Sequence, residues 1–222
     1  MFEIPLTTWI SQRLNSCPAL RAPEKFYYSF MLEISMLDSD CHALLANPHI
    51  RLSGSVDENM YDSFRQQLAV CNATGPIVIT ITTLGGDPEM ARLMGDDVRL
   101  LREQGGREML FLGKVAVYSA GATFMSSFPV DCRFLTKTTR LMIHERQMNK
   151  KLAVNGPLRS CVAALKATLH EIEHSITIEE EGFRAIVKGS KVDFTTIRDR
   201  APENWYIECH EAIELGLIHD VI

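Results

Sequence analysis

Ile77-Val78-Ile79-Thr80-Ile81-Thr82-Thr83-Leu84-Gly85-Gly86-Asp87-Pro88 is the stretch on which the fold turns. Its β-branched run, residues 77–82, reads as a buried strand. Gly85-Gly86 stops the strand, and Asp87 with Pro88 suits the cap and first position of a helix. That helix runs to about Gln104, with Met90, Leu93, Met94, Val98 and Leu101 on its apolar side. A strand feeding straight into a helix is the repeating unit of an α/β protein with a mainly parallel sheet.

The same rhythm continues on either side. Ile50-Arg51-Leu52-Ser53-Gly54 reads as a short strand and turn, after which Asp57 caps a helix to about Val70. Met109-Leu110-Phe111-Leu112 and Val115-Ala116-Val117 are further buried strands, and small residues at 119–122 open a helix ending near Pro129. Phe134-Leu135 and Leu141-Met142-Ile143 are two more short strands. From Asn155-Gly156-Pro157 a long helix extends to about Glu181, with Leu158, Val162, Leu165, Leu169, Ile172 and Ile176 spaced near the helical period. A small domain cannot bury the whole of that stripe, which predicts a homo-oligomer. Residues 1–48, with scattered aromatic residues and prolines at 5, 18, 23 and 48, break the rhythm. They are read as an N-terminal arm or helical extension, with 49–222 as one domain.

Bulk properties exclude several classes. The chain has 222 residues, 46% hydrophobic and 23% charged, which is ordinary for a soluble globular protein. A net charge of −5 argues against nucleic acid as a partner. No apolar run is long enough to span a membrane, and the N-terminus lacks the pattern of a secretory signal. The six cysteines are scattered without metal-ligand spacing, which fits reduced thiols and a cytoplasmic location.

Two residues carry the chemistry. Ser119 lies in Tyr118-Ser119-Ala120-Gly121-Ala122, between an apolar strand and a small-residue helix start. Helix-start N–H groups are free there, and Ala120 and Gly121 leave room for a substrate. His144 ends Arg140-Leu141-Met142-Ile143-His144, twenty-five residues on; histidine is the side chain that in general exchanges a proton near neutrality, so it suits the removal of a serine proton. Read singly, Ser119 is a helix cap, His144 a hydrogen-bonded strand-end residue and Gly85-Gly86 a tight turn. Read together, with Asp199 downstream as an orienting acid, they form a kit for acyl transfer: nucleophile, base, backbone oxyanion donor and acid.

A rival motif is His170-Glu171-Ile172-Glu173-His174, a literal H-E-x-x-H that on a helix puts both imidazoles on one face. Its surroundings are heavily charged, including Glu179-Glu180-Glu181, which favours a solvated helix face over a zinc site. No metal is assigned.

The order of these pieces resembles the proteolytic subunit of the Clp protease, a serine peptidase family. Ser119-Ala120-Gly121-Ala122 matches its nucleophile turn, and Arg133-Phe134 with Arg140-Leu141-Met142-Ile143-His144 matches its histidine strands at the same separation. Thr83-Leu84-Gly85-Gly86 stands where the family has Ser-Pro-Gly-Gly, and Glu211-Ala212-Ile213-Glu214-Leu215-Gly216-Leu217 matches its closing signature. The resemblance covers about Ile50 to the C-terminus. It implies a Clp/crotonase-type spiral of ββα units, with the helix at about 157–181 protruding as a handle. It also implies Ser119 as nucleophile, His144 as base, and Gly86 and Ala120 as oxyanion donors. The acid is Asp199, from Arg198-Asp199, with Asp193 as the runner-up. No cofactor is implied; the partners are a polypeptide substrate and further copies in homo-oligomeric rings. An AAA+ ATPase unfoldase stays open, because residues 1–48 match nothing in the family. Two other classes share the fold: a catalytically idle ring subunit, and a crotonase-type acyl-CoA enzyme that would not need Ser119 paired with His144.

Overall fold

Parallel pairing buries both faces of a strand, which is what the unbroken apolar runs of this chain require. A computed structural model describes residues 42–222, so nearly all of the expected N-terminal arm lies outside the described residues. In chain order the elements are β1 (Ile50–Ser53), α1 (Glu58–Ala69), β2 (Ile77–Thr83), α2 (Pro88–Glu103), β3 (Met109–Tyr118) and α3 (Ala120–Met125). There follow β4 (Arg133–Leu135), β5 (Arg140–Ile143), α4 (Leu158–Val187), α5 (Phe194–Arg200), β6 (Trp205–Glu208), α6 (Cys209–Glu214) and β7 (Asp220–Val221). The expected α/β architecture is the one the chain adopts.

Among the described residues the strands form one seven-stranded sheet, ordered β1-β2-β3-β4-β7, with β5 beside β3 and β6 beside β5. Every pairing is parallel except the antiparallel β5–β6 ribbon. The helix starts follow the capping signals. Asp57 accepts from Met60 N–H at 2.9 Å, and Asp87 accepts from Glu89 N–H at 2.7 Å with Pro88 beside it.

β3 is one strand rather than the two expected, and it is broken in register. Its first half pairs β4 through Phe111–Gly113, and its second half pairs β5 through Ala116–Tyr118. The break falls at Val115, which is exposed and has a φ of 62°, rare for a β-branched residue. One strand thereby joins two half-sheets, which is how the spiral turns.

Arg133 closes the core at the far end of the first half. Only 1% exposed, it donates to the carbonyls of Phe128 (2.8 Å), Ile186 (3.1 Å), Leu217 (3.1 Å) and Ser126 (3.4 Å). Burial draws its pKa down to about 10. The guanidinium ties α3, the end of α4 and the C-terminal segment to β4.

The long helix α4 continues past the expected end, because its last turns bury Phe183, Ile186 and Val187. Its first two-thirds leave the apolar stripe open: Leu158, Val162, Leu165, Leu169, Ile172 and Ile176 are all exposed. The H-E-x-x-H residues lie on this exposed part, where Glu171 pairs with Lys150. Among the described residues no cluster has the makings of a metal site, and no helix is long and apolar enough to cross a membrane.

Candidate active site

Ser119 follows β3 with φ 54° and ψ −113°, a conformation costly for any residue but glycine. Its own N–H donates to Met142 O of β5 at 2.8 Å, and its carbonyl accepts from Ala122 and Thr123. The backbone is therefore held on both sides. Although it sits at the cap position of α3, its side chain caps nothing. Instead the hydroxyl stands 2.8 Å from Nε2 of His144. Strand pairing explains the meeting: Tyr118 lies opposite Met142 in the parallel β3–β5 ladder, and the next residue out from each strand end leads to Ser119 and His144.

The glycine pair lies against the serine. A Cβ on Gly85 would come within 2.9 Å of Ser119 Cβ and 3.3 Å of its Oγ. Gly86, at φ 146°, forms a parallel bridge with Val56 in which Val56 N–H donates to Gly85 O and Asp87 N–H to Val56 O. Both of those bonds bypass the Gly86 N–H, which has no acceptor among the described residues. The Ala120 N–H, first in α3, has no intrahelical acceptor either. Thr83 and Leu84, which depart from the family's Ser-Pro, divide the labour. The Thr83 hydroxyl accepts from Gly85 N–H at 3.0 Å and donates to Gly85 O at 3.1 Å, while Leu84 faces solvent.

Beside the pair runs a groove of about 400 Å³. Ile143, Ile178, Phe183 and Ile186 make an apolar side, and Arg92 and Glu179 stand among the polar lining. Arg146 straps across from the β5 end: its guanidinium pairs with Glu89 of α2 at 2.7 Å, and its backbone N–H bonds the Glu179 carboxylate of α4. Burial raises the Glu179 pKa, and the Arg146 N–H offsets part of that rise.

The expected acid is not at the site. Asp199, 62% exposed, pairs with its neighbour Arg198 at 3.3 Å on α5. Asp193 caps α5 by accepting from Thr196 N–H at 2.7 Å, which also lowers its pKa. The reason is local: each carboxylate finds its nearest partner on its own short helix. His144 Nδ1 is buried with no hydrogen-bond partner among the described residues. The structure thus brings Ser119, His144, Gly86 and Ala120 together and leaves Asp199 outside. Missed from the sequence were the Arg146 strap and β6, the strand beside the histidine strand. The alternation of Trp205-Tyr206-Ile207-Glu208 was the signal for that strand.

Comparison with known proteins adds the following. A family model described as Clp protease matches residues 35–222. The chain is similar to the ATP-dependent Clp protease proteolytic subunit 2 of Treponema pallidum (strain Nichols), 24% identical over 181 residues, 80% of this chain and 83% of that protein. Among solved structures it is similar in fold to a ClpP1 mutant from Listeria monocytogenes, with a TM-score of 0.64 and 19% identity over 82% of this chain and 94% of that one.

Proposed function

Because the chain belongs to the Clp protease family and is thereby a ClpP-like serine peptidase, we propose that it cleaves unfolded proteins or short peptides through an acyl-enzyme on Ser119. The observation that carries this reading is the 2.8 Å approach of Ser119 Oγ to His144 Nε2. His144 takes the hydroxyl proton as Oγ attacks the scissile carbonyl, and the oxygen that becomes negative meets the Gly86 and Ala120 N–H groups. The proton then passes to the leaving amine, and water repeats the sequence on the acyl-enzyme. No cofactor enters these steps. The apolar side of the groove suits an apolar substrate side chain next to the cleaved bond.

A homo-oligomeric ring, in the cytoplasm, goes with this reading, since the open α4 stripe needs a partner surface. The treponemal relative's name carries ATP dependence, which makes an AAA+ ATPase the accessory partner to test. A second reading, the idle ring subunit, is favoured by the unpartnered Nδ1 of His144.

Treatment with a fluorophosphonate, with the adduct located by mass spectrometry, separates the two. Labelling at Ser119 that is lost in S119A and in H144A is the expected result. An intact oligomer that never labels would sink the peptidase reading.

A further inference from the structure

We infer that Asn204 is the positioning partner of His144, through its side-chain carbonyl on Nδ1–H; this rests on the peptidase reading above. For the Ser119 hydroxyl to donate to Nε2, the ring proton must sit on Nδ1, and a buried N–H needs an acceptor. The β5–β6 ribbon says where to look. Its last antiparallel pair is Ile143 opposite Trp205, so one step further brings His144 and Asn204 to the same end of the ribbon. Directly opposed residues in such a ribbon lie about 4.5–5.5 Å apart at Cα and share a face. The Asn204 carboxamide makes no hydrogen bond among the described residues. Trp205 Nε1, also buried without a partner among the described residues, offers only a donor and lies on the Ile143 face. Backbone strain marks the same place: of the three non-glycine residues with positive φ among those described, one is Ser119 and another Asn204, at 57°.

An amide at this position has a consequence that a carboxylate would not. Its carbonyl accepts from Nδ1–H and leaves Nε2 free as the base. Turned over, its NH₂ donates to Nδ1 and forces the proton onto Nε2, where His144 cannot take the serine proton. Asn204 therefore supports catalysis in one amide orientation and blocks it in the other. Aspartate can only accept.

The test uses the full chain with N204D and N204L. One readout is the rate of Ser119 labelling by a fluorophosphonate against pH. The other is the His144 titration by NMR of histidine labelled at Cε1, which needs no activity. Glu145, Arg146, Arg92 and Glu179 share the groove with His144 and are unchanged in all three proteins. N204D is expected to raise the His144 pKa by about one unit or more, since a carboxylate within reach favours the imidazolium. It is also expected to speed labelling at pH 8 by about tenfold or more, and N204L to slow it by a similar factor at temperatures well below its folding midpoint, which a leucine at φ 57° lowers. A His144 titration that is the same in all three proteins overturns the assignment, whatever the labelling. A raised pKa in N204D with Ser119 never labelled keeps Asn204 as the partner and overturns the peptidase reading instead.

Discussion

Replacing Gly86 by Ala decides whether the glycine pair is an oxyanion donor or only a turn. A Cβ there would lie 2.3 Å from Val56 O and 2.7 Å from Val56 N. Both are backbone atoms pinned by the bridge, with bonds of 3.0 Å to Gly85 O and 2.7 Å from Asp87 N–H, so neither can swing aside. The φ of 146° adds strain of roughly 1–3 kcal/mol for an L residue. The loop must shift, and the Gly86 N–H leaves its place beside Ser119. Loss of one oxyanion donor costs about 10²–10³ in kcat, or about 3–4 kcal/mol of transition-state stabilisation. We therefore expect G86A to lose at least about 100-fold in kcat on an unstructured peptide, and a similar factor in the rate of fluorophosphonate labelling. Gly75→Ala is the control. Gly75 has φ 87° with no atom within 4 Å of an added Cβ, so it carries the strain without touching the site. Thermal midpoints of both variants separate unfolding from lost chemistry. If G86A keeps kcat within about threefold of the wild type while destabilised like G75A, the oxyanion argument is wrong.

Three further outcomes follow from the geometry. Arg133→Met leaves three buried carbonyls and a half-buried one without their donor and should cost about 3–5 kcal/mol, read as a fall in the denaturant midpoint; a change under about 1 kcal/mol would refute the role given to that guanidinium. Glu179 has a folded pKa raised above its ordinary 4.5, so folding takes up protons and stability declines as pH rises from about 4.5 through the folded pKa. Glu179→Gln keeps an acceptor for the Arg146 N–H and should flatten that decline, seen in midpoints measured across pH 4 to 8. Leu165→Glu with Leu169→Glu puts charge on the exposed α4 stripe and should reduce the oligomer measured by analytical ultracentrifugation, leaving the protomer's far-UV spectrum intact.

Ser119 and His144 were legible because each sits one step beyond a short apolar run, and parallel strands bring such ends together without long-range information. Asp57 and Asp87 were legible for the same reason: a cap bonds within its own first turn. Legibility failed where the deciding contact was distant. Arg198-Asp199 has the right neighbours in sequence, but the side of α5 on which the carboxylate falls depends on packing, and it falls toward solvent. The apolar face of α2 departs from expectation at one position: Met94 and Val98 are buried and Met90 and Leu101 pack on the core as expected, but Leu93 does not. Ala91, Met94, Gly95 and Val98 are buried while Leu93 is 38% exposed. A Cβ on Gly95 would come 2.1 Å from Ser127 Oγ, so close approach through small residues, rather than the largest side chains, sets the orientation of that helix.

The distance between nucleophile and base is a property of the sheet rather than of two flexible side chains. The register break at Val115 lets the second half of β3 leave β4 and pair with β5. That pairing aims the Ser119 N–H at Met142 O, and the same bond fixes the strained turn that presents the hydroxyl. Without the break, β3 would continue along β4, and Ser119 would have no backbone acceptor on the strand that carries His144. A substitution that relieves the strain at Val115, such as Val115→Gly, should therefore leave Ser119 and His144 in place, because the ladder and not the strain holds them. Deleting residues 114 and 115 would restore the simple register and should abolish labelling even in a folded protein, a result that thermal melting and the probe together can read.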